Sequence, residues 1–112
     1  MIKKIGLLSF MLLVLNQSAI ANNPIQTGKS LWDQRISIGR SCADCHGKDL
    51  TRKGKHVKTN KVIKPMALSV NPKRYTKPKK IEKWFKRNCK WTWGRECTAL
   101  EKDQMLQYLK SL

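Results

Sequence analysis

Acidic side chains are what this sequence most lacks: seven Asp and Glu among 112 residues stand against 24 Lys and Arg, for a net charge of +17. Aromatic residues are also few, at 7%, and no apolar run approaches the ~20 residues that a membrane-spanning helix needs. No internal repeat is visible, and no stretch reads as a convincing β-strand. The length leaves room for one small domain, which excludes a multidomain enzyme. A small, highly charged domain with a thin core needs a staple.

What is present begins at the N-terminus. Lys3 and Lys4 precede an apolar run over 5–15, and a polar stretch then ends in Ala19, Ile20 and Ala21. This three-part pattern predicts a secretory signal peptide, residues 1–21, cleaved after Ala21. The alternative, an uncleaved anchor, is too short to span a bilayer. Removing 1–21, with its two lysines, leaves 22 basic residues and all seven acidic ones, a net charge of +15 on residues 22–112. The expected product is one small, basic, periplasmic domain.

Export changes how the four cysteines are read, because thiols outside the cytoplasm are oxidised to disulfides or consumed by a metal or cofactor. They form two unlike pairs. Cys42 and Cys45 lie in Cys42-Ala43-Asp44-Cys45-His46, while Cys89 and Cys97 are separated by seven residues.

The C-x-x-C-H spacing is the signature of c-type haem attachment: two thiols add to the two vinyl groups of one haem, and the next residue offers its imidazole to the iron. Cys42 and Cys45 are thus the candidate attachment points of one covalent haem c, and His46 is its candidate proximal ligand. A thiol redox pair would need a thioredoxin-like βαβ pattern, which is missing. A zinc site would need a second ligand pair, and Cys89 and Cys97 lack zinc-ribbon spacing. Haem also answers the size problem, since a large apolar cofactor bonded to the chain supplies core that so short a chain cannot.

Helical signals flank the motif. Leu31 and Ile38 stand seven apart, with Cys42 and Cys45 four and three further along the same face, which predicts an N-terminal helix leading into the haem site. At the other end Thr98 opens a T-x-x-E capping box with Glu101, and Met105, Tyr108, Leu109 and Leu112 recur at i, i+3, i+4 and i+7. Terminal helices of this kind enclose the haem in small cytochromes c. Between Lys48 and Lys80 the chain reads as loop, broken by Gly54, Pro65, Pro72 and Pro78, with the expected task of wrapping one haem edge. The expected fold class is all-α with long loops.

His46 leaves the second axial position open, and few residues can fill it. Met105 fits the buried stripe of the last helix, and His56, in Lys55-His56-Val57-Lys58, reads as a solvated loop histidine. Met66, beside Pro65, suits packing on the haem edge ahead of ligation. Asn88 differs, because Ile81, Trp84, Phe85 and Asn88 occupy i, i+3, i+4 and i+7 of a helix starting just after Pro78. On periodicity alone the plainer role stands first: an Asn near a helix C-terminus, satisfying carbonyls or turning the chain. Cys89 adjoins it, however, and a disulfide to Cys97 would enclose Trp91, Trp93 and Gly94 and fix the backbone beside Asn88. Loop entropy makes such a bond worth about 2–3 kcal/mol. The tryptophans are expected to wall the haem pocket or the core, or to stack under neighbouring cations.

The run Trp84-Phe85-Lys86-Arg87-Asn88-Cys89-Lys90-Trp91-Thr92-Trp93-Gly94-Arg95-Glu96-Cys97-Thr98, with Lys64-Pro65-Met66-Ala67 and Ser69-Val70-Asn71-Pro72, resembles the SHP family of monohaem class I cytochromes c. The resemblance covers nearly all of the mature chain. It implies a small class I cytochrome c fold with a His proximal ligand and an Asn distal ligand placed just before the first cysteine of a disulfide. Those positions here are His46, Asn88 and the pair Cys89 and Cys97. It also implies binding of oxygen or nitric oxide, and a dihaem cytochrome c as electron-donating partner. A related branch carries His where this chain has Asn88, so the match is to the asparagine type. The density of lysine around His56 is unusual for the family.

The positive charge favours an acidic partner, either a redox protein or an anionic membrane surface, and steering towards an acidic electron donor is the expectation. Lys73-Arg74 and Lys77 to Lys80 would attract nucleic acid, but export sets that partner aside. A monomer is expected. Three readings follow. In the first, the amide oxygen of Asn88, a hard and weak donor, holds ferric iron, lets go on reduction and yields its place to a diatomic gas, with oxygen or nitric oxide turnover as an extension. In the second, a permanent sixth ligand such as Met66 makes a plain electron carrier. The third is a haem-free module with disulfides Cys42–Cys45 and Cys89–Cys97.

Overall fold

The computed structural model describes residues 23–112, so the predicted signal peptide and its cleavage site lie outside the described residues. Helix α1 (Pro24–Asp33) opens on Asn23, whose Oδ1 accepts the Ile25 N–H at 3.0 Å, and Pro24 occupies the first turn, where its missing N–H has no partner to lose. The helix lies against the C-terminal helix. The approach is closest at Gly28, where a Cβ would fall 2.0 Å from the Gln104 carbonyl oxygen. Only glycine lets the two backbones come this near.

Helix α1 ends at Asp33, which corrects the expectation of one helix continuing through Ile38 to the cysteines. Residues 34–40 turn instead. Gly39 takes φ +68°, Ile38 is 46% exposed, and Cys45 and His46 sit on a separate one-turn helix, α2 (Ala43–His46). Two β-branched residues and a glycine within four positions make Ile36-Ser37-Ile38-Gly39 a poor helical run. The seven-residue spacing from Leu31 to Ile38 is therefore not a shared face.

The loop between α2 and the next helix contains a small antiparallel hairpin, β1 (Gly54–Lys55) and β2 (Val62–Ile63), with Gly54 opposite Ile63 and Lys55 opposite Val62. No strand was expected there, and two residues per strand are too few to register as alternation. Ahead of the hairpin Leu50 is buried, and its carbonyl accepts the N–H groups of Met66 and Ala67, beyond the hairpin, at 3.1 and 3.0 Å. The loop is thereby folded back under the core.

Helix α3 (Pro78–Trp93) starts on its proline and stops at Gly94, which adopts φ +72° and donates its N–H to the Lys90 carbonyl at 3.0 Å. Helix α4 (Ala99–Lys110) carries the predicted capping box: Thr98 Oγ1 accepts the Glu101 N–H at 3.1 Å, and Glu101 Oε1 accepts the Thr98 N–H at 2.8 Å. The core unites Trp32 of α1, Leu50, Cys89 and Trp93 of α3, and Met105, Tyr108 and Leu109 of α4. Met105, 1% exposed, is a packing residue. Among the described residues the architecture is four helices with very little strand.

Candidate haem site

The C-x-x-C-H segment is ordered from within. Asp44 accepts the Ser41 N–H at 3.0 Å and is gripped by both terminal nitrogens of Arg35, which also donates to the Gly39 carbonyl at 2.9 Å. This grip holds the Asp44 carboxyl below the usual range and ties the motif to the turn before it. From the other side the hairpin rests on the motif backbone. A Cβ on Gly54 would fall 2.3 Å from the Cys45 carbonyl oxygen and 2.8 Å from the His46 Cα.

His46 is largely buried, and burial, reinforced by the positive charge of Arg74, lowers its pKa to about 4. Its ring is therefore neutral near pH 7, with a lone pair free for a metal. Trp32 lies beside it, ring centroids 5.1 Å apart and planes inclined by 42°. Among the described residues, two buried side-chain polar atoms have no hydrogen-bond partner, and they are Nδ1 of His46 and Nε1 of Trp32. Buried polar groups are rarely left orphaned. Two orphans on neighbouring rings mark a place where the polypeptide alone is incomplete.

Cys42 and Cys45 are free thiols, and burial pushes Cys42 up to about 12. A thiol that ionises so reluctantly is a poor disulfide-exchange nucleophile, which weighs against a thiol redox role for Cys42. Among the described residues no three His, Cys, Asp or Glu side chains converge as metal ligands. Two half-buried free thiols, a neutral imidazole and an unpartnered indole N–H fit a haem with its iron and carboxylates. Cys42 and Cys45 would hold it covalently and His46 axially.

Asn88 lies on α3 six residues before the Gly94 cap, and it is exposed. The helix continues past it for more than a turn, so Asn88 does not terminate α3, and the plainer of its two roles falls away. Cys89, Thr92 and Trp93 turn into the core, while Trp84, Asn88 and Trp91 follow one another at i, i+4 and i+7 along the helix flank. Trp84 is 44% exposed. The amide is therefore set between two indoles on a flank that the core does not cover.

The end of α3 is anchored to the segment that leads into the motif. Ser37 Oγ donates to the Trp93 carbonyl at 3.1 Å, Arg40 Nη1 to the Trp91 carbonyl at 3.2 Å, and Trp93 Nε1 to the Gln34 carbonyl at 3.3 Å. The Arg40 guanidinium also stacks 4.0 Å from the Trp91 ring centroid. One residue beyond Asn88, Cys89 is joined to Cys97 across a Cα separation of 5.6 Å. Met66 and His56 have other employment. The Met66 carbonyl accepts the Tyr75 hydroxyl at 2.8 Å and its side chain packs on the core, while His56 Nδ1 accepts the backbone N–H groups of Lys58 and Thr59 within the hairpin turn. Nothing in the sequence flagged Trp32 as a neighbour of His46, because the contact joins residues fourteen apart on separate helices.

A few helices around a C-x-x-C-H segment, with a neutral buried histidine and an anchored second helix, define a small c-type cytochrome. A family described as a domain of unknown function (DUF1924) matches residues 18–109. The cytochrome c-type protein SHP of Cereibacter sphaeroides is 46% identical over 103 residues, covering 87% of this chain and 79% of that protein. The structure of oxidised SHP, described as an oxygen-binding cytochrome c, superposes with a TM-score of 0.73 at 38% identity, over 79% of this chain and 81% of that one. The solution structure of Methylophilus methylotrophus cytochrome c'', which bears on haem-ligand detachment, gives 0.62 at 34% identity over 76% and 72% of the two chains. The chain belongs to the SHP family of c-type cytochromes, and its cofactor is one covalent haem c.

Proposed function

We propose that this protein is an exported electron-transfer cytochrome whose Asn88 holds the distal haem face when the iron is ferric and withdraws on reduction, yielding its place to a diatomic gas. The carrying observation is Asn88 itself: an exposed amide between Trp84 and Trp91, unused as a helix cap, on a helix whose end is tied to the turn preceding Cys42. Bound between the two sides, haem supplies an iron that takes up and gives back one electron and presents two axial faces. Cys42 and Cys45 anchor it, and His46, kept neutral, holds the proximal face. The amide oxygen of Asn88 is a hard, neutral donor, better matched to ferric than to ferrous iron. Once free, its NH₂ can donate a hydrogen bond to a polar diatomic such as oxygen or nitric oxide. The relative described as oxygen-binding supports this reading. The proposal includes cleavage after Ala21, a periplasmic location, a monomeric state and an acidic donor of the dihaem cytochrome c class.

The test is absorption spectroscopy of the matured protein and its Asn88→Ala variant, oxidised and reduced, with and without carbon monoxide or nitric oxide. Wild type should be low-spin when ferric, turn high-spin on reduction and shift with gas. Asn88→Ala should keep the covalent haem and lose the low-spin ferric form. An unchanged ferric spectrum in the variant would reject Asn88, and a reduced wild type that stays low-spin and ignores gas would make this a plain electron carrier.

A further inference from the structure

The hairpin has two unlike faces. Side chains alternate across a strand, so Gly54, His56 and Ile63 point inward, where Gly54 seats on the Cys45 and His46 backbone and the His56 ring packs 5.3 Å from that of Trp91. Lys55 and Val62 take the outer positions of the ladder, and Val57 lies in the turn that joins the strands. There the two valines are 55% and 65% exposed, and neither contributes to the core. Lys53, Lys55, Lys58, Lys61 and Lys64 are all exposed around them. Residues 50–81 contain eleven Lys and Arg and no Asp or Glu, and among the described residues only Arg52 of these has an acidic partner, Asp49 at 3.5 Å.

We propose that the outer face of the β1–β2 hairpin, Val57 and Val62 within their rim of lysines, is the docking surface for the acidic redox protein that delivers the electron. The proposal rests on the electron-transfer function above and names its surface. Small apolar centres with charged rims are how transient protein interfaces combine orientation with fast encounter. The charge selects an acidic occupant. Two isolated valines, with no aromatic or leucine on that face, are too little apolar surface to seat in a bilayer interface. Position adds a reason, since electron transfer weakens steeply with distance and the inner face of this hairpin lies on the backbone of the haem-attachment residues.

The experiment is stopped-flow reduction of the ferric holoprotein by an acidic dihaem cytochrome c at low ionic strength. The pair Lys55→Gln with Lys61→Gln is compared with Lys29→Gln with Lys110→Gln, which removes the same charge from α1 and α4. The hairpin pair should slow the second-order rate about tenfold and the control pair about twofold. Val62→Ser should slow it about threefold with the salt dependence unaltered. Haem absorption and the thermal midpoint verify that each variant is folded. Equal slowing by the two pairs, or a Val62→Ser rate equal to wild type, overturns the surface while leaving the function standing. A wild-type rate indifferent to salt removes steering altogether, and with it the acidic donor. Unchanged reduction by the hairpin pair, together with weakened binding to phosphatidylglycerol vesicles, would assign the face to a membrane instead.

Discussion

Gly28 shows how much a single missing side chain can decide. In a helix interior, replacing glycine by alanine normally stabilises by about 0.5–1 kcal/mol. At this position the added methyl would lie 2.0 Å from the Gln104 oxygen and 2.8 Å from the Tyr108 Cβ, so the helices must part. Gly28→Ala should therefore destabilise by about 1–3 kcal/mol, read as a lower urea midpoint with an unchanged slope. The sequence carried no sign of this, because a close backbone crossing depends on tertiary placement. His46 was legible for the opposite reason: C-x-x-C-H is a local motif, and its chemistry constrains adjacent residues. Asn88 was singled out as a ligand by the family resemblance and stood second on periodicity alone. Periodicity put it on the helix, but whether α3 ended there depended on the left-handed Gly94 six residues later.

Among the elements, α4 was the most readable, since T-x-x-E and an i, i+3, i+4, i+7 stripe are both local and mutually consistent. Its N-terminus also carries a pH dependence. The Arg95 guanidinium, hydrogen-bonded to Glu101, holds that carboxyl at about 2 against an ordinary 4.5. A carboxylate lowered in the folded state stabilises it above the unfolded pKa, and the benefit fades as the pH falls towards the folded value. Glu101→Gln should therefore lose stability relative to wild type near neutrality, and the two urea midpoints should converge between pH 4.5 and about 2. Helix α1 was carried too far because the seven-residue spacing from Leu31 to Ile38 imitated a helical face across a turn. The hairpin was missed because two residues per strand leave no alternation to read, and its turn closes through Asn60 at φ +59°, a placement that local pattern does not announce.

At the scale of the whole molecule, charge is unevenly answered. The described ion pairs are formed by carboxylates lying before residue 50 or on α3, α4 and the turn between them, so the lysines of 53–80 repel one another unopposed. Raising ionic strength from about 0.01 to 0.15 M shortens the screening length from about 30 to 8 Å. The thermal midpoint of the holoprotein should rise over that range, and a flat or falling midpoint would show that self-repulsion is not felt by the fold. Composition announced this field at once, although not its concentration on one lobe. The anchoring of α3 has a kinetic corollary. With its end bonded to residues 34–40 and Cys89 joined to Cys97, the backbone at Asn88 has little room to travel. If Asn88 is the ligand released on reduction, as proposed above, its amide leaves by turning on its own two torsions, in picoseconds to nanoseconds, where a moving helix would take microseconds or more. Such a gate would behave as a turnstile, with ligand uptake rising in proportion to gas concentration without a plateau and the speed of capture set by the path inward.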